Sequence, residues 1–152
     1  MASLREITIV SGGQTGADRA ALDFAIEHDI PHGGWCPRGR PAEDGAIPPL
    51  YRLQETPSRK YSQRTEWNVR DSDATVVFSV AQNPAGGTAL TLAVARRLAK
   101  PFLHLCRETS RVAESAARLL SFINENHVGR LNIAGPRASQ EPDVAAFVRD
   151  VL

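Results

Sequence analysis

Short apolar runs alternate along the chain with longer stretches in which apolar residues recur every three or four positions. The runs predict strands, and the longer stretches predict amphipathic helices. The predicted strands cover residues 6–11, 30–35, 74–80, 101–106 and 130–134. The predicted helices cover residues 16–28 and 59–72, a stretch that ends at Ala99 with Thr88 as its N-cap or as a ligand donor, a stretch capped by Thr109 or Ser110, and a last one with Pro142 in its first turn.

Regular alternation of strand and helix is typical of a parallel sheet with right-handed crossovers. We therefore expect an α/β fold in one domain over residues 1–152. Its core is expected to be a Rossmann-like, doubly wound parallel sheet of about five or more strands with helices on both faces. The helical spacing places Leu90 with Val94, and Leu120 with Leu119, on buried helix faces.

The first strand and helix are joined by a glycine-rich turn within the sequence EITIVSGGQTGAD. A helix that follows a strand through such a turn exposes free N–H groups, and its dipole attracts an anion. The turn therefore predicts a phosphate cradle, although glycine can also serve a strand-to-helix turn for conformational reasons alone. No lysine follows Gly16 as in a Walker loop, and the third glycine of the dinucleotide fingerprint is missing.

Two further turns of this kind follow later strands, AGGT after residues 74–80 and GPRAS after residues 130–134. The carboxyl ends of parallel strands lie at one edge of the sheet, so the three turns are expected on the same rim. Arg137, beside Gly135, is the strongest candidate for direct contact with an anion. The three turns together predict a ligand that carries a phosphate or a similar anionic group.

Composition narrows the classes of function. The net charge of +1 gives no reason to expect nucleic-acid binding or a role at a membrane surface. The N-terminal sequence MASLRE lacks the apolar segment of a signal peptide, and the two cysteines form no C-x-x-C motif. We therefore expect a cytoplasmic protein with reduced thiols. The histidines lack metal-ligand spacing, so no metal site is predicted.

The least regular part of the chain, residues 36–58, is rich in proline and lies within a basic region. Residues 35–70 hold seven basic and four acidic side chains, 7 − 4 = +3, which leaves −2 for the remainder. Such a segment fits a lid over an anionic ligand, and it equally fits a solvated surface loop. The helix that follows carries a polar stripe at Tyr61, Arg64 or Thr65, and Asn68, which either lines a site or faces solvent.

Five segments of the chain also carry a family resemblance: SGGQTGADRAALDFA, WCPRGRPAEDG, SRKYSQRTEWNVRDSDAT, NPAGGT and NIAGPRAS. In this order, over nearly the whole chain, they resemble the molybdenum cofactor carrier family. That family belongs to a wider set of Rossmann-like nucleotide-ligand proteins, which includes the lysine-decarboxylase-like phosphoribohydrolases. The resemblance implies a homo-oligomer, a dimer or tetramer, that holds a phosphate-bearing ligand such as the molybdenum cofactor (molybdopterin) at the carboxyl edge of the strands.

Transferred motif by motif, the resemblance gives a set of ligand-binding residues. They are Gly12, Gly13, Gln14, Thr15, Gly16, Asp18, Gly86, Gly87, Thr88, Gly135, Arg137 and Ser139. The phosphoribohydrolases place a catalytic glutamate shortly after the second turn, where this chain has Ala89 and Leu90. No catalytic residue is therefore assigned, and we favour a non-catalytic carrier.

Two other functions stay open at this stage. One is an enzyme acting on a nucleotide or phosphoribosyl substrate, with Asp18, Glu43 or Asp44 as acid or base. The other is a sensor of a nucleotide or an ADP-ribose-like ligand. The carrier hypothesis implies a small anionic ligand, with molybdoenzymes or cofactor-synthesis proteins as partners.

Overall fold

The structure, a computed structural model, describes residues 6–152. Residues 1–5, on which the expectation about a signal peptide largely rests, lie outside that range. The strands are β1 Thr8–Val10, β2 His32–Gly33, β3 Trp35–Cys36, β4 Pro41–Ala42, β5 Gly45–Ala46, β6 Gln54–Glu55, β7 Ala74–Ser79, β8 Phe102–Cys106 and β9 Arg130–Ala134. The helices are α1 Ala17–Glu27, α2 Tyr61–Arg70, α3 Gly86–Arg97, α4 Val112–Glu125 and α5 Val144–Val151.

Five strands form a parallel sheet in the order β2-β1-β9-β7-β8. All six residues of β7 are buried, as expected for a strand covered on both faces. The predicted Rossmann-like α/β class is therefore confirmed, with β9 inserted between β1 and β7. None of the helices within residues 6–152 is long and apolar enough to cross a membrane.

The helices form two layers around this sheet. Helices α1, α4 and α5 pack together on one face, over a core that includes Val76 and Phe78 of β7 and Leu105 of β8. Helices α2 and α3 pack against each other around Val69 and Val94, next to Phe102. Neighbouring residues of β8 thus point into different layers, because side chains alternate along a strand.

The order of the strands has a simple relation to a common fold. If β7, β8, β9, β1 and β2 are renumbered 1, 2, 3, 4 and 5, the order of neighbouring strands across the sheet is 2-1-3-4-5. This is the strand order of the flavodoxin-like doubly wound sheet. In that sheet the order reverses between the first and third strands, here β7 and β9. Doubly wound proteins bind their ligands in the crevice at this reversal, beyond the carboxyl ends of the strands.

Residues 30–58 depart from the sequence-based prediction. The strand expected over residues 30–35 is divided at Gly34, so that β2 joins the main sheet and β3 pairs with β6 instead. Gly34 has a φ of +133°, and a Cβ atom there would lie 2.2 Å from the carbonyl oxygen of Ser11. The predicted irregular segment also contains the β4–β5 hairpin.

Four details of the helices were also predicted wrongly. Helix α3 begins at Gly86 after Ala85, so Thr88 lies inside its first turn and is not its N-cap. Leu90 and Leu120 are 38% and 43% exposed, so neither belongs to a buried helix face. The N-cap residue of α4 is Arg111, without a side-chain cap, so the predicted caps Thr109 and Ser110 lie before the helix, where their N–H groups donate to the carbonyl oxygen of Cys106. Pro142 precedes α5 and its N-cap residue, and so lies outside the helix.

We predict that Phe147→Ala lowers the free energy of unfolding by about 3–5 kcal/mol. The Phe147 ring is buried and meets the Phe78 ring edge-on, at 5.6 Å between centroids and an interplanar angle of 78°, so truncation leaves a cavity beneath β7. Urea denaturation followed by circular dichroism measures the loss. Leu120→Ala is the matched control, expected to change stability by less than about 0.5 kcal/mol. Equal losses in both variants would contradict this placement of the core.

Candidate anion-binding site

A polar cavity lies near the reversal of strand order, lined by residues of β9 and by the turn that follows β7. Its volume is about 80 Å³, which is room for two or three water molecules. Parts of all three glycine-rich turns line it, together with one face of α2. The predicted site residues that line it are Gly12, Gln14, Asp18, Gly87, Thr88, Gly135 and Arg137. The expectation that the three turns share one rim is therefore met.

Helix α2 lines the cavity with its polar stripe, which consists of Tyr61, Arg64, Thr65 and Asn68. Of the two interpretations left open by the sequence, the solvent face is wrong, because these side chains are partly or fully buried beside the cavity. That the cavity binds a ligand stays a prediction. Asn68 also has a structural task, because its side-chain amide accepts from the backbone N–H of Trp35 at 2.7 Å and donates to the Trp35 carbonyl oxygen at 3.0 Å. These two bonds fix β3 against α2.

Two arginines and one carboxylate supply the charge of the cavity lining. Arg64 Nη1 donates to the carbonyl oxygen of Gly12 at 2.9 Å and lies 3.5 Å from Asp18 Oδ2. The guanidinium carbons of Arg64 and Arg137 lie 5.2 Å and 5.5 Å from the centroid of the Tyr61 ring, so one aromatic ring contacts both cations. The lining carries one more cation than anion, which favours an anionic ligand.

Asp18 is buried in the first turn of α1. Burial raises the pKa of its carboxyl group to about 6, against the opposing effects of the Arg64 charge and of a hydrogen bond from the Gln14 N–H at 3.4 Å. A carboxylate with this pKa changes its charge near neutral pH. The net charge of the cavity therefore depends on pH in the physiological range.

Gln14 leaves one buried donor unused. The side chain is only 4% exposed, and its Oε1 accepts from the N–H groups of Thr15 at 3.0 Å and Glu43 at 2.9 Å. Its Nε2 group is buried and has no hydrogen-bond partner among residues 6–152. A buried donor without a partner costs free energy, which a ligand acceptor in the cavity would recover.

The N-terminal part of α3 also lines the cavity. Helix α3 starts without a side-chain cap, and Gly86 has a φ of +58°. A Cβ atom at Gly87 would meet nothing within 4 Å, so the first turn is open toward the lining. Free N–H groups at a helix start attract anions.

Five predicted site residues do not line the cavity: Gly13, Thr15, Gly16, Gly86 and Ser139. Gly13 faces the irregular segment, where a Cβ atom would lie 2.7 Å from Leu53 Cδ1. Gly16 faces the third turn, where a Cβ atom would lie 2.4 Å from the carbonyl oxygen of Pro136. Both have a positive φ and give the first turn its shape.

Thr15 and Ser139 contact Glu43, at the tip of the β4–β5 hairpin. Ser139 donates its hydroxyl to Glu43 Oε2 at 2.6 Å and its N–H to Oε1 at 3.1 Å, and the hydroxyl of Thr15 also donates to Oε1. These hydrogen bonds, led by that of the Ser139 hydroxyl, lower the pKa of Glu43. Asp44 pairs with Arg19 at 3.0 Å. Neither acid of the hairpin lines the cavity, and together they hold the hairpin on the first turn.

Asn132, a buried residue of β9, also lines the cavity and was not among the predicted site residues. Its side-chain amide donates to the hydroxyl of Thr75 at 3.2 Å, across the sheet. The sequence feature that could have identified Asn132 is its position as a polar residue in the middle of the largely apolar strand RLNIA. Within residues 6–152 no group of three or more histidine, cysteine or acidic side chains is arranged to hold a metal ion.

These features define a Rossmann-like α/β protein with a polar, net cationic cavity at its strand reversal. Residues 9–152 match the circularly permutated YpsA SLOG family, and the chain belongs to that family. The permutation in that description agrees with the strand order, which becomes a standard doubly wound sheet when the count starts at β7.

One solved structure is closely similar: the crystal structure of the "Putative molybdenum carrier protein" from Syntrophus aciditrophicus SB. It has 48% sequence identity and a TM-score of 0.94, and the alignment covers 97% of this chain and 93% of that one. The resemblance to the molybdenum carrier family drawn from the sequence motifs is thereby confirmed. No curated protein matches the chain.

We predict that sulfate, which remains a dianion across the range, binds about tenfold more tightly at pH 5 than at pH 7.5. The direction of this pH dependence follows from Asp18. An anion in the cavity disfavours the charged form of the Asp18 carboxyl group, so anion binding at a pH above its pKa of about 6 is accompanied by the uptake of a proton. Isothermal titration calorimetry gives the affinities. Asp18→Asn should bind sulfate with little dependence on pH, whereas Asp44→Asn, outside the cavity, should behave as the wild type. A flat profile in the wild type would contradict the role of Asp18.

Proposed function

We propose that this protein is a non-catalytic carrier of the molybdenum cofactor, which it holds through the phosphate group of the cofactor. One observation carries the proposal: three strand-end turns and α2 converge on one small cavity lined by Arg64 and Arg137. The unused Nε2 of Gln14 and the open first turn of α3 add uncharged donors. Arginine guanidinium groups and helix N-termini are the phosphate-binding groups that proteins use most readily.

The neighbouring protein supports the identity of the ligand. A chain with 48% identity over nearly its whole length bears the name of a molybdenum carrier protein. The lining of this cavity fits a phosphate rather than a bare metal ion, because it presents several donors and only one carboxylate. The protein would then hold the cofactor by its organic part, and the metal would remain with its own ligands.

The distribution of carboxylates supports binding without turnover. Asp18 is the one carboxylate on the cavity lining within the described chain, and Arg64 lies 3.5 Å from it. Thr88 is followed by Ala89 and Leu90, so α3 offers no acid where the phosphoribohydrolases place theirs. Glu43 and Asp44 hold the hairpin. We extend the proposal to a cytoplasmic homo-oligomer that exchanges its ligand with molybdoenzymes or cofactor-synthesis proteins.

We predict that the purified protein retains molybdenum cofactor in native mass spectrometry, and that Arg137→Gln weakens retention by about 10- to 100-fold. Arg137 is partly buried on the rim and lines the cavity, so its loss should remove an anion contact while the fold survives. Arg149→Gln is the control, because it makes the same charge change on an exposed residue of α5.

The same experiment includes AMP, ADP and ADP-ribose as competing ligands. Preference for one of these without turnover would replace the carrier proposal by the nucleotide sensor. Hydrolysis of a nucleotide during incubation would replace it by the enzyme. Unchanged retention in Arg137→Gln would remove that residue from the site.

A further inference from the structure

The cavity is too small for the ligand that we propose. Pockets that bind drug-sized molecules have volumes of about 300–1,000 Å³, whereas this cavity measures about 80 Å³. It has room for one tetrahedral anionic group, and the remainder of the ligand must lie outside it.

A second, open cleft lies next to the cavity and shares one residue with it. Its volume is about 510 Å³, and it is lined by Arg38, Gly39, Pro41, Arg59 and Tyr61. Tyr61, in the first turn of α2, lines both spaces. A ligand that passes from the cavity over Tyr61 therefore enters a cleft with enough volume for the remainder.

The two arginines of this cleft are free to bind. The side chains of Arg38 and Arg59 are exposed, and neither makes a hydrogen bond or an ion pair within residues 6–152. Arg40 and Arg64 are occupied by contrast: Arg40 binds backbone carbonyl oxygens, and Arg64 lies beside Asp18. Unpaired guanidinium groups at a cleft favour a carboxylate or phosphate, which they can bind in a bidentate manner.

An acidic group also lies beside this cleft: the carboxylate of Glu55 of β6 accepts a hydrogen bond from the N–H of Gly39, a lining residue, at 2.6 Å. It neutralises part of the local charge, yet two arginines outnumber it. Tyr61 borders both spaces, whereas Arg64 and Arg137, whose guanidinium groups lie near its ring, line only the cavity.

We propose that the cleft of Arg38 and Arg59 is a second anion subsite for the same ligand. The ligand is then an elongated molecule with two anionic groups, one in the cavity and one beyond Tyr61. A phosphate or a carboxylate at the second position would satisfy the arginines equally well. This inference rests on the proposed function for the occupant of the cavity, and it narrows that ligand to molecules with a second negative charge.

The test uses three families of linear alkyl phosphates of increasing chain length. The far end of each chain carries a hydroxyl, a carboxylate or a second phosphate group. Isothermal titration calorimetry compares the wild type with Arg38→Gln/Arg59→Gln. The matched control is Arg118→Gln/Arg149→Gln, which makes the same change of charge on exposed residues of α4 and α5.

We expect the doubly charged probes to bind the wild type at least tenfold more tightly than the hydroxyl probes, above a minimum chain length. The Arg38→Gln/Arg59→Gln variant should lose this advantage and keep its affinity for inorganic phosphate, whereas the control should resemble the wild type. The comparison of carboxylate with phosphate probes tells which group the subsite prefers.

Equal binding of all three probe families by the wild type would overturn the second subsite. So would an advantage that survives in the Arg38→Gln/Arg59→Gln variant. These outcomes are separate from the fate of the carrier proposal, because retention of the molybdenum cofactor is measured independently. A protein that rejects the cofactor but prefers doubly charged probes would keep the subsite and lose the carrier function.

Discussion

The close approach of β9 to its neighbours is the constraint on which the site depends, and Gly135 makes it possible. A Cβ atom at this position would lie 2.4 Å from the Phe78 carbonyl oxygen and 2.6 Å from the Ala17 Cβ atom. The third turn therefore packs directly against β7 and against the start of α1, with no side chain between them. Because the strands are parallel, this contact brings all three turns to one rim.

The electrostatics of the rim follow from α2, which reaches the first turn from the other layer. Arg64 donates to the carbonyl oxygen of Gly12, 52 residues earlier in the chain, and its charge lies beside the buried carboxyl group of Asp18. Burying such a pair removes both charges from water, and this desolvation cost offsets much of the favourable attraction between them. The raised pKa of Asp18 shows that desolvation has the larger effect on its carboxyl group. A ligand anion would compete with Asp18 for Arg64, so binding and protonation are linked.

The irregular segment, residues 36–58, is held in place by polar contacts and not by pairing into an extended sheet. The guanidinium group of Arg40 donates to the carbonyl oxygens of Ile47, Pro48, Tyr51 and Leu53, at 2.8–3.3 Å. One side chain thereby satisfies backbone groups that would otherwise need a strand or water. The contacts of Glu43 with two turns then fix the segment beside the cavity, and leave the cleft of Arg38 and Arg59 open.

Outside residues 30–58, the sequence by itself determined the order of strands and helices along the chain, the parallel sheet and the shared rim of the three turns. These follow from local apolar periodicity, from the conformational freedom of glycine and from the geometry of parallel strands. Only the tertiary structure decided whether the stripe of α2 lines the site. The position of a polar face depends on what packs opposite it. It also decided that Thr15 and Ser139 bind Glu43, and that Leu90 is exposed. The local periodicity of a sequence does not show which distant residues contact each other, because those contacts depend on how the whole chain packs.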